Sequence, residues 1–599
     1  MNGVGRCNMQ NHTGNAGAES KAEIEALTPE EPQTKVTEEF DDILDIIGSQ
    51  GRFQKFLLYV VVCPITAIQP FLTLNAIFML FTPEHWCHVP GRDNYTDLET
   101  WKIRTIPLDP TRLQDAHGHP KYSQCSMYGE DGEPEACKWG WEFDTTDYLS
   151  TLPGDFAWVC DNSAIPTNAF TASAIGNAVG TIVFGHFADK YGRKPIFFLT
   201  ITINIVFRIV SLLHPSNVKF FYLCQFIIGT AFPVMFIAPS MIAAEICDYV
   251  KDETNYYPSS VQSMGLRLHL DDLGDRMCGL PLVAWLCSDW YLIGLSTSVP
   301  AIAIYIYLWY LPESPRWLLS IGKHEQASKS SNNKSEDTSV AELNSMLRKL
   351  VAKQNRKKEA KNIGVWTLFS RARLARNTVS MNVLVYYGIT LNTTNMPGNQ
   401  FVNFFLLSII ELPSGWAGGV LADKLGRRWV QVVFFLVCMI SCVGATFVIH
   451  IITLELIAVV LAKFAITLTF LVVYLQGAEI FPTQLRYTGS GFASTIGAIA
   501  GIFAPIIAQL SIHHLSYPYW IMGMLCIIGL VVSAFLPETL NQNLPETIDD
   551  ANKFGKGVKF WSTRSKSITS TLGSLRTSRR STAGQGENAL DPPIVVQPD

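Results

Sequence analysis

Charge is scarce in this 599-residue chain. Asp, Glu, Lys and Arg make up 16% of it, and 48% of residues are hydrophobic. A soluble domain carries about 25% charged residues, so this composition excludes an ordinary water-soluble globule. No cleavable signal peptide is visible either. The first 50 residues are polar and acidic, with no short apolar stretch near Met1. The first apolar segment is then expected to act as its own insertion signal. No Gly-x-x-x-x-Gly-Lys-Ser/Thr loop occurs, which argues against nucleotide-driven pumping. No metal-ligand or hydrolase constellation stands out either. The sequence predicts neither an enzyme nor a cofactor, and leaves open whether sodium or a proton is a coupling ion.

What the chain has instead is long apolar runs. Crossing a bilayer as a helix takes about 20 residues. Runs near that length lie at 56–81, 164–187, 195–213, 219–247, 290–311, 377–394, 400–421, 429–449, 453–478, 488–510 and 516–536. A twelfth, near 259–287, is irregular. The connecting segments alternate in charge. Lys190, Arg193 and Lys194 lie in one turn, Lys424, Arg427 and Arg428 in another, and 312–376 is crowded with Lys and Arg. The opposite loops near 214–218, 393–399 and 511–515 contain none. By the positive-inside rule the basic segments face the cytosol, both termini with them, and 82–163 lies outside.

Two segments recur. Gly185-His-Phe-Ala-Asp189-Lys-Tyr-Gly192-Arg193-Lys194 returns as Gly419-Val-Leu-Ala-Asp423-Lys-Leu-Gly426-Arg427-Arg428, 234 residues later. Ala244-Glu245-Ile246 and Ala478-Glu479-Ile480 keep the same offset. The chain is thus two copies of one unit, and paired membrane halves suit a machine that rocks about a central site. The predicted organisation is a cytosolic tail 1–55, a six-helix half 56–311 containing the large outer loop 82–163, a cytosolic linker 312–376, a second six-helix half 377–536, and a basic Ser/Thr-rich tail 537–599.

The outer loop carries Cys87, Cys125, Cys137 and Cys160. Four cysteines in an oxidising compartment predict two disulfides, with three possible pairings. Asn94-Tyr-Thr96 is a glycosylation sequon on the correct side.

These residues resemble the organic cation, organic anion and carnitine transporter family of solute carriers, within the major facilitator superfamily. The resemblance spans about 40–550. It rests on Phe40-Asp-Asp-Ile-Leu-Asp-Ile-Ile-Gly48, Cys137-Lys-Trp-Gly-Trp-Glu-Phe-Asp144, Pro312-Glu-Ser-Pro-Arg-Trp-Leu318, Gly398-Asn399, Glu411-Leu-Pro413, Ala478-Glu-Ile-Phe-Pro-Thr483 with Arg486, and Pro537-Glu-Thr539. The Cys-bearing loop separates this family from sugar porters, which share Pro-Glu-Ser-Pro-Arg. The resemblance implies an all-α membrane protein with the major facilitator fold and twelve transmembrane helices in two six-helix halves. It implies alternating access at the plasma membrane.

The resemblance also implies a conformational latch in which Asp189, Glu245, Asp423 and Glu479 pair with Arg193, Arg316, Arg427 and Arg486. Gly185 and Gly419 are expected to permit close helix approach, and Gly192 and Gly426 a tight turn. Glu411 stands alone in an apolar segment, where a carboxylate must face protein or water. Lys463 is sixteen residues before Glu479, about 24 Å along a helix. It either snorkels outward, binds an anionic group or meets a partner acid. Arg208 is expected to snorkel. Tyr386 and Tyr387 offer π faces to a cation, and by resemblance their helix lines the central cavity. Ala498 occupies the position where the family often carries Asp in cation transporters and Arg in anion or carnitine transporters. Its helix is uncharged here, so the usual indicator of substrate charge is missing.

The fifth segment is anomalous. Glu245 to Pro312 is 67 residues and Glu479 to Pro537 is 58, a surplus of nine in the first half. Six ionisable residues fall between 267 and 276, including His269, Asp271, Asp272 and Asp275. The leading expectation is a transporter of small organic ions, cations or zwitterions such as carnitine. Organic anions are the alternative, and a non-transporting receptor or scaffold on the same fold is the second. The expected partners are a small organic ion and the lipid bilayer. Nucleic acid is not among them, and oligomeric state is not legible.

Overall fold

A computed structural model describes residues 56–90, 98–108, 122–246, 277–323, 325–326, 380–449, 451–480 and 486–540. Asn94, the charged run 267–276, most of the linker, the N-terminal tail and the C-terminal tail beyond 540 lie outside these residues. The architecture is helical. In chain order the main elements are α1 (Tyr59–Met79), α2 (Ala164–Tyr191), α3 (Arg193–Leu213), α4 (Val218–Ile246), α5 (Gly279–Cys287), α6 (Trp290–Ser298), α7 (Ser380–Leu391), α8 (Gln400–Leu425), α9 (Arg427–Phe447), α10 (Ile452–Ile480), α11 (Arg486–Gly501) and α12 (Ser516–Ala534). Among the described residues nine helices are long and apolar enough to cross a membrane. The segments of α2, α5 and α7 are not among the nine. α2 has the length but is rich in small and polar residues. α5 is described only from Gly279, and α7 is 12 residues long. Exposed Ile182, Leu199, Val206, Ile440, Met524 and Ile528 give the bundle an apolar exterior suited to lipid.

Each half has its own core. Leu57, Ile65, Phe197, Ile201, Met235, Ile242 and Ile304 pack together in the first. Val385, Phe435, Ala465, Ile466 and Met522 do so in the second. In the first half α2 and α4 meet backbone to backbone. A Cβ on Gly180 would lie 2.0 Å from the Thr230 carbonyl oxygen, and one on Gly176 would lie 2.1 Å from that of Phe226. From the other side, a Cβ on Gly229 would lie 2.0 Å from the Ser173 oxygen. Glycine is therefore obligatory along this seam. The close approach expected at Gly185 is not found: a Cβ there meets nothing within 4 Å. The contact lies about one and a half to two and a half turns earlier, where α2 faces α4.

The repeated charged turns are built alike. Gly192 has φ +106° and Gly426 φ +95°, conformations that side chains rarely adopt. Each starts a helix whose first backbone N–H groups point at one carboxylate. Glu313 accepts from Arg193 N at 3.1 Å and Lys194 N at 3.3 Å. Glu538 accepts from Arg427 N at 2.9 Å and Arg428 N at 3.2 Å. The free N–H groups and the positive end of the helix dipole favour an anion there.

The large loop forms two small antiparallel ladders, β1 (His85–Cys87) with β4 (Trp141–Phe143) and β2 (Ser126–Tyr128) with β3 (Pro134–Ala136). Of the three possible pairings, the structure has Cys87–Cys137 and Cys125–Cys160. At the foot of this loop the halves touch. Phe78 of α1 stacks on Phe401 of α8 at 5.7 Å and meets Phe404 edge-on at 5.1 Å. Tyr148 donates to Gln400 Oε1 at 2.6 Å, and Gln400 Nε2 donates to the Ile77 carbonyl at 3.3 Å. Burial pushes the Tyr148 phenol far above its ordinary range, so it remains a donor. The bundle is thus closed on the side of the loop.

Arg208 does not snorkel. It is 2% exposed, and its Nη2 donates to the Leu72 carbonyl at 2.8 Å. Its face of α3 is turned to α1, beside the interruption at Asn75, rather than to lipid.

Gly180→Leu is expected to abolish folded protein, while Gly185→Ala leaves it near wild-type yield; detergent-solubilised monodispersity by fluorescence-detected size exclusion checks both. Glu538→Ala leaves two helix N–H groups without their acceptor and is expected to cost about 0.5–2 kcal/mol, seen as a lower Tm of purified protein.

Candidate substrate site

The interior of the second half contains one compact charged unit. α8 is interrupted at Ile410, just before Pro413, which has no N–H to continue the ladder. Glu411 therefore begins the second piece of the helix, where the N-terminal dipole favours a carboxylate. It is 3% exposed. Its Oε1 accepts from Lys463 Nζ of α10 at 2.8 Å and from the Tyr386 hydroxyl of α7 at 2.9 Å. Lys463 is 1% exposed. Its ammonium also donates to Thr390 Oγ1 at 2.7 Å and stands 3.5 Å from the centre of the Tyr386 ring. Of the three expectations for Lys463, the structure has the partner acid.

The reason for this assembly is the cost of an isolated charge in an apolar interior. Glu411 and Lys463 neutralise each other, and Tyr386 and Thr390 add hydrogen bonds. Tyr386 and Thr390 are four residues apart on α7 and share a face. Sequence reading found the acid, the base and the tyrosine but missed Thr390. Its spacing from Tyr386 was the available signal. Tyr386 is held in turn by Tyr387, edge-on at 5.5 Å, and by Phe470 at 5.2 Å, which packs on Tyr474 at 4.9 Å. Tyr387 turns toward α11, within 4.0 Å of where a Cβ on Gly501 would lie. Ala498 is partly buried on that helix and brings no charge.

Above the ion pair the crevice reaches the other half. Thr393, Phe404, Leu407 and Ser408 line it together with Met277, which precedes α5. It holds no space large enough for a water molecule, as fits the closure at Phe78 and Phe401.

The gating candidates lie at the opposite end. In the second half, Arg427 Nη2 meets Glu479 Oε1 at 3.1 Å, and Nη1 meets Asp423 Oδ1 at 3.4 Å. Glu479 Oε2 also accepts from Thr539 Oγ1 at 2.5 Å. These contacts join α8, α9 and α10 with the segment after α12, all within one half. In the first half Asp189 is exposed, and its backbone carbonyl takes the Trp317 indole N–H at 2.7 Å. Arg193 is half-buried at the head of α3. Glu245 lies in the last turn of α4, Arg316 in the short helix Pro315–Ser320 and Arg486 at the head of α11. The side chains of these three fall outside the described residues. Glu313 and Glu538, quoted only inside longer motifs, were not singled out from sequence, yet they cap the two repeated helices.

The sequence profile of the family described as "Sugar (and other) transporter" matches residues 142–550. The carcinine transporter of Drosophila melanogaster is 30% identical over 573 residues, covering 88% of this chain and 82% of that protein. Organic cation transporter 1 of Caenorhabditis elegans is 28% identical, covering 86% and 89%. The human organic cation/carnitine transporter 2 is 26% identical, covering 88% and 96%. Among solved structures, the proton:xylose symporter XylE, a major facilitator protein, superposes with a TM-score of 0.52 at 16% identity, covering 82% of this chain and 98% of that one. The chain is a multi-pass membrane protein and a transporter rather than an enzyme, and it belongs to the sugar (and other) transporter family of the major facilitator superfamily.

Proposed function

We propose that the protein carries small organic cations or zwitterions across the plasma membrane by alternating access, with its substrate site at Glu411, Lys463 and Tyr386. One observation carries this reading. The Lys463 side chain is itself an alkylammonium, held by a carboxylate and by the face of an aromatic ring. A substrate ammonium needs the same two partners. An arriving cation takes Glu411 and the Tyr386 face from Lys463. A zwitterion also supplies an anion for the displaced ammonium, so the site stays neutral throughout. Relatives named for organic cations, carcinine and carnitine support the same class. Tyr387 and the uncharged Ala498 helix complete the wall without adding a competing charge.

In this reading both termini and the charged turns are cytosolic and the disulfide-bonded loop is outside. The Asp423–Arg427–Glu479 cluster, with Asp189, Arg193, Glu245, Arg316 and Arg486, governs closure on the cytosolic side. Asn94 is the expected glycan site. An anion carrier using Lys463 is disfavoured, because an anion displacing Glu411 gains nothing from the Tyr386 ring face, which attracts a cation.

Uptake of tetraethylammonium, carnitine, β-alanine and para-aminohippurate by cells expressing the chain tests the class. Saturable uptake of an ammonium-bearing compound is expected, with kcat/KM falling at least about tenfold in Glu411→Gln. Uptake of para-aminohippurate alone, unchanged in that variant, would sink the proposal. Lys463→Met leaves Glu411 unpaired and should lower stability by about 3–5 kcal/mol. The double change with Glu411→Gln should restore Tm without restoring uptake. Recovery of both would mean that the pair is structural only. Tyr386→Phe keeps the ring and is expected to retain more cation uptake than Tyr386→Ala, a difference of about 0.5–2 kcal/mol in apparent affinity.

A further inference from the structure

We propose that Glu455 is a proton-binding site, filled from the side of the large loop, and that closing α7 against α10 and α12 on that side takes up its proton. The link to transport rests on the cycle proposed above; the proton site itself does not.

Glu455 is 2% exposed. Its Oε1 takes the Tyr519 hydroxyl of α12 at 3.0 Å. Its Oε2, fully enclosed, has no hydrogen-bond partner. Among the described residues no Lys, Arg or His bonds either oxygen. The polar groups facing it are neutral: Tyr519 itself, with Cys442 of α9 and Asn392 at the end of α7 beside that phenol. The lysine of its own helix, Lys463, is eight residues on, about 12 Å along the axis, and is already paired with Glu411.

Among the described residues the second half buries four acids: Glu411 and Glu479 each meet a basic side chain, Glu538 caps a helix start, and Glu455 has neither. An anion with a single hydrogen bond and no cation is strongly disfavoured in an apolar interior. The neutral acid keeps the Tyr519 contact and carries no charge. Position supplies the proton. Glu455 lies in the first turn of α10, between exposed Ile451 and Leu454 and the core. Loop-side water is about one helical turn away, roughly 5 Å.

Tyr519 also connects the acid to the moving parts. Asn392 opens the 3-10 turn Asn392–Asn395 that ends α7. Two residues earlier Thr390 receives the Lys463 ammonium. The proton site and the central ion pair therefore both contact the last turn of α7 and the 3-10 turn that follows it. Drawing α7 and α12 away from α10 wets Glu455, which then ionises and releases one proton to loop-side water. Closing the bundle takes one proton back.

Infrared difference spectroscopy of the purified protein reads the proton directly. A protonated carboxyl band that titrates with pH in the wild type and is missing in Glu455→Gln is expected. No such band, with Glu455 ionised throughout, overturns the proposal whether or not a substrate is known. In uptake assays the wild type should change at least about threefold across two pH units, and Glu455→Gln, fixed in the neutral form, should be flat. An unchanged pH profile in that variant overturns the link to the cycle. Should Glu455→Gln fail to fold, Tyr519→Phe serves instead: it should shift the carboxyl band and displace the uptake profile along pH, and an unmoved band and profile overturn the proposal.

Discussion

A charge placed in an apolar interior must find an opposite charge or a hydrogen-bond partner within reach. That constraint organises the second half of this protein. Glu411 and Lys463 come from helices far apart in sequence, and their mutual neutralisation fixes how α7, α8 and α10 pack. Tyr386 serves both partners at once, with its hydroxyl on the carboxylate and its ring under the ammonium. Any ligand that enters must replace these contacts rather than add to them. Under the proposed function, a preference for organic cations or zwitterions follows from that exchange, without a dedicated charged residue on α11.

The same constraint appears in a milder form at the repeated turns. Helix ends leave N–H groups without partners, and a carboxylate from a distant segment fills each gap. Glu313 closes the start of α3 and Glu538 the start of α9, at positions equivalent in the two halves. The glycines before them supply backbone conformations that leave room for the carboxylate. The duplication visible in the sequence is therefore a duplication of a physical contact.

Much of this was legible from the residues. The 234-residue offset announced two halves, and the lone Glu411 in an apolar run pointed to the buried ion pair. Lys463 was identified, but its partner was not, because a sequence gives height along a helix and not the direction a side chain faces. Arg208 shows the same limit: its height suited snorkelling, and its orientation toward α1 decided otherwise. Gly185 was read as a packing glycine because it sits in the repeated motif, whereas the seam falls at Gly176, Gly180 and Gly229, which carry no such signature. Glu455 escaped notice because it lies one turn from the end of an apolar segment, where acids are common and usually solvated.

The glycine seam has a mechanical meaning. Where two backbones touch directly, no side chain can change rotamer to absorb a displacement. α2 and α4 are therefore one stiff beam. α2 also packs along α11 of the other half, so the beam reaches across the molecular midline. Bending is then left to elements such as α8, interrupted at Ile410, and the end of α7 at Asn392, which are also the elements that carry Glu411 and Tyr386. The protein has placed its compliance beside its charges and its stiffness opposite them.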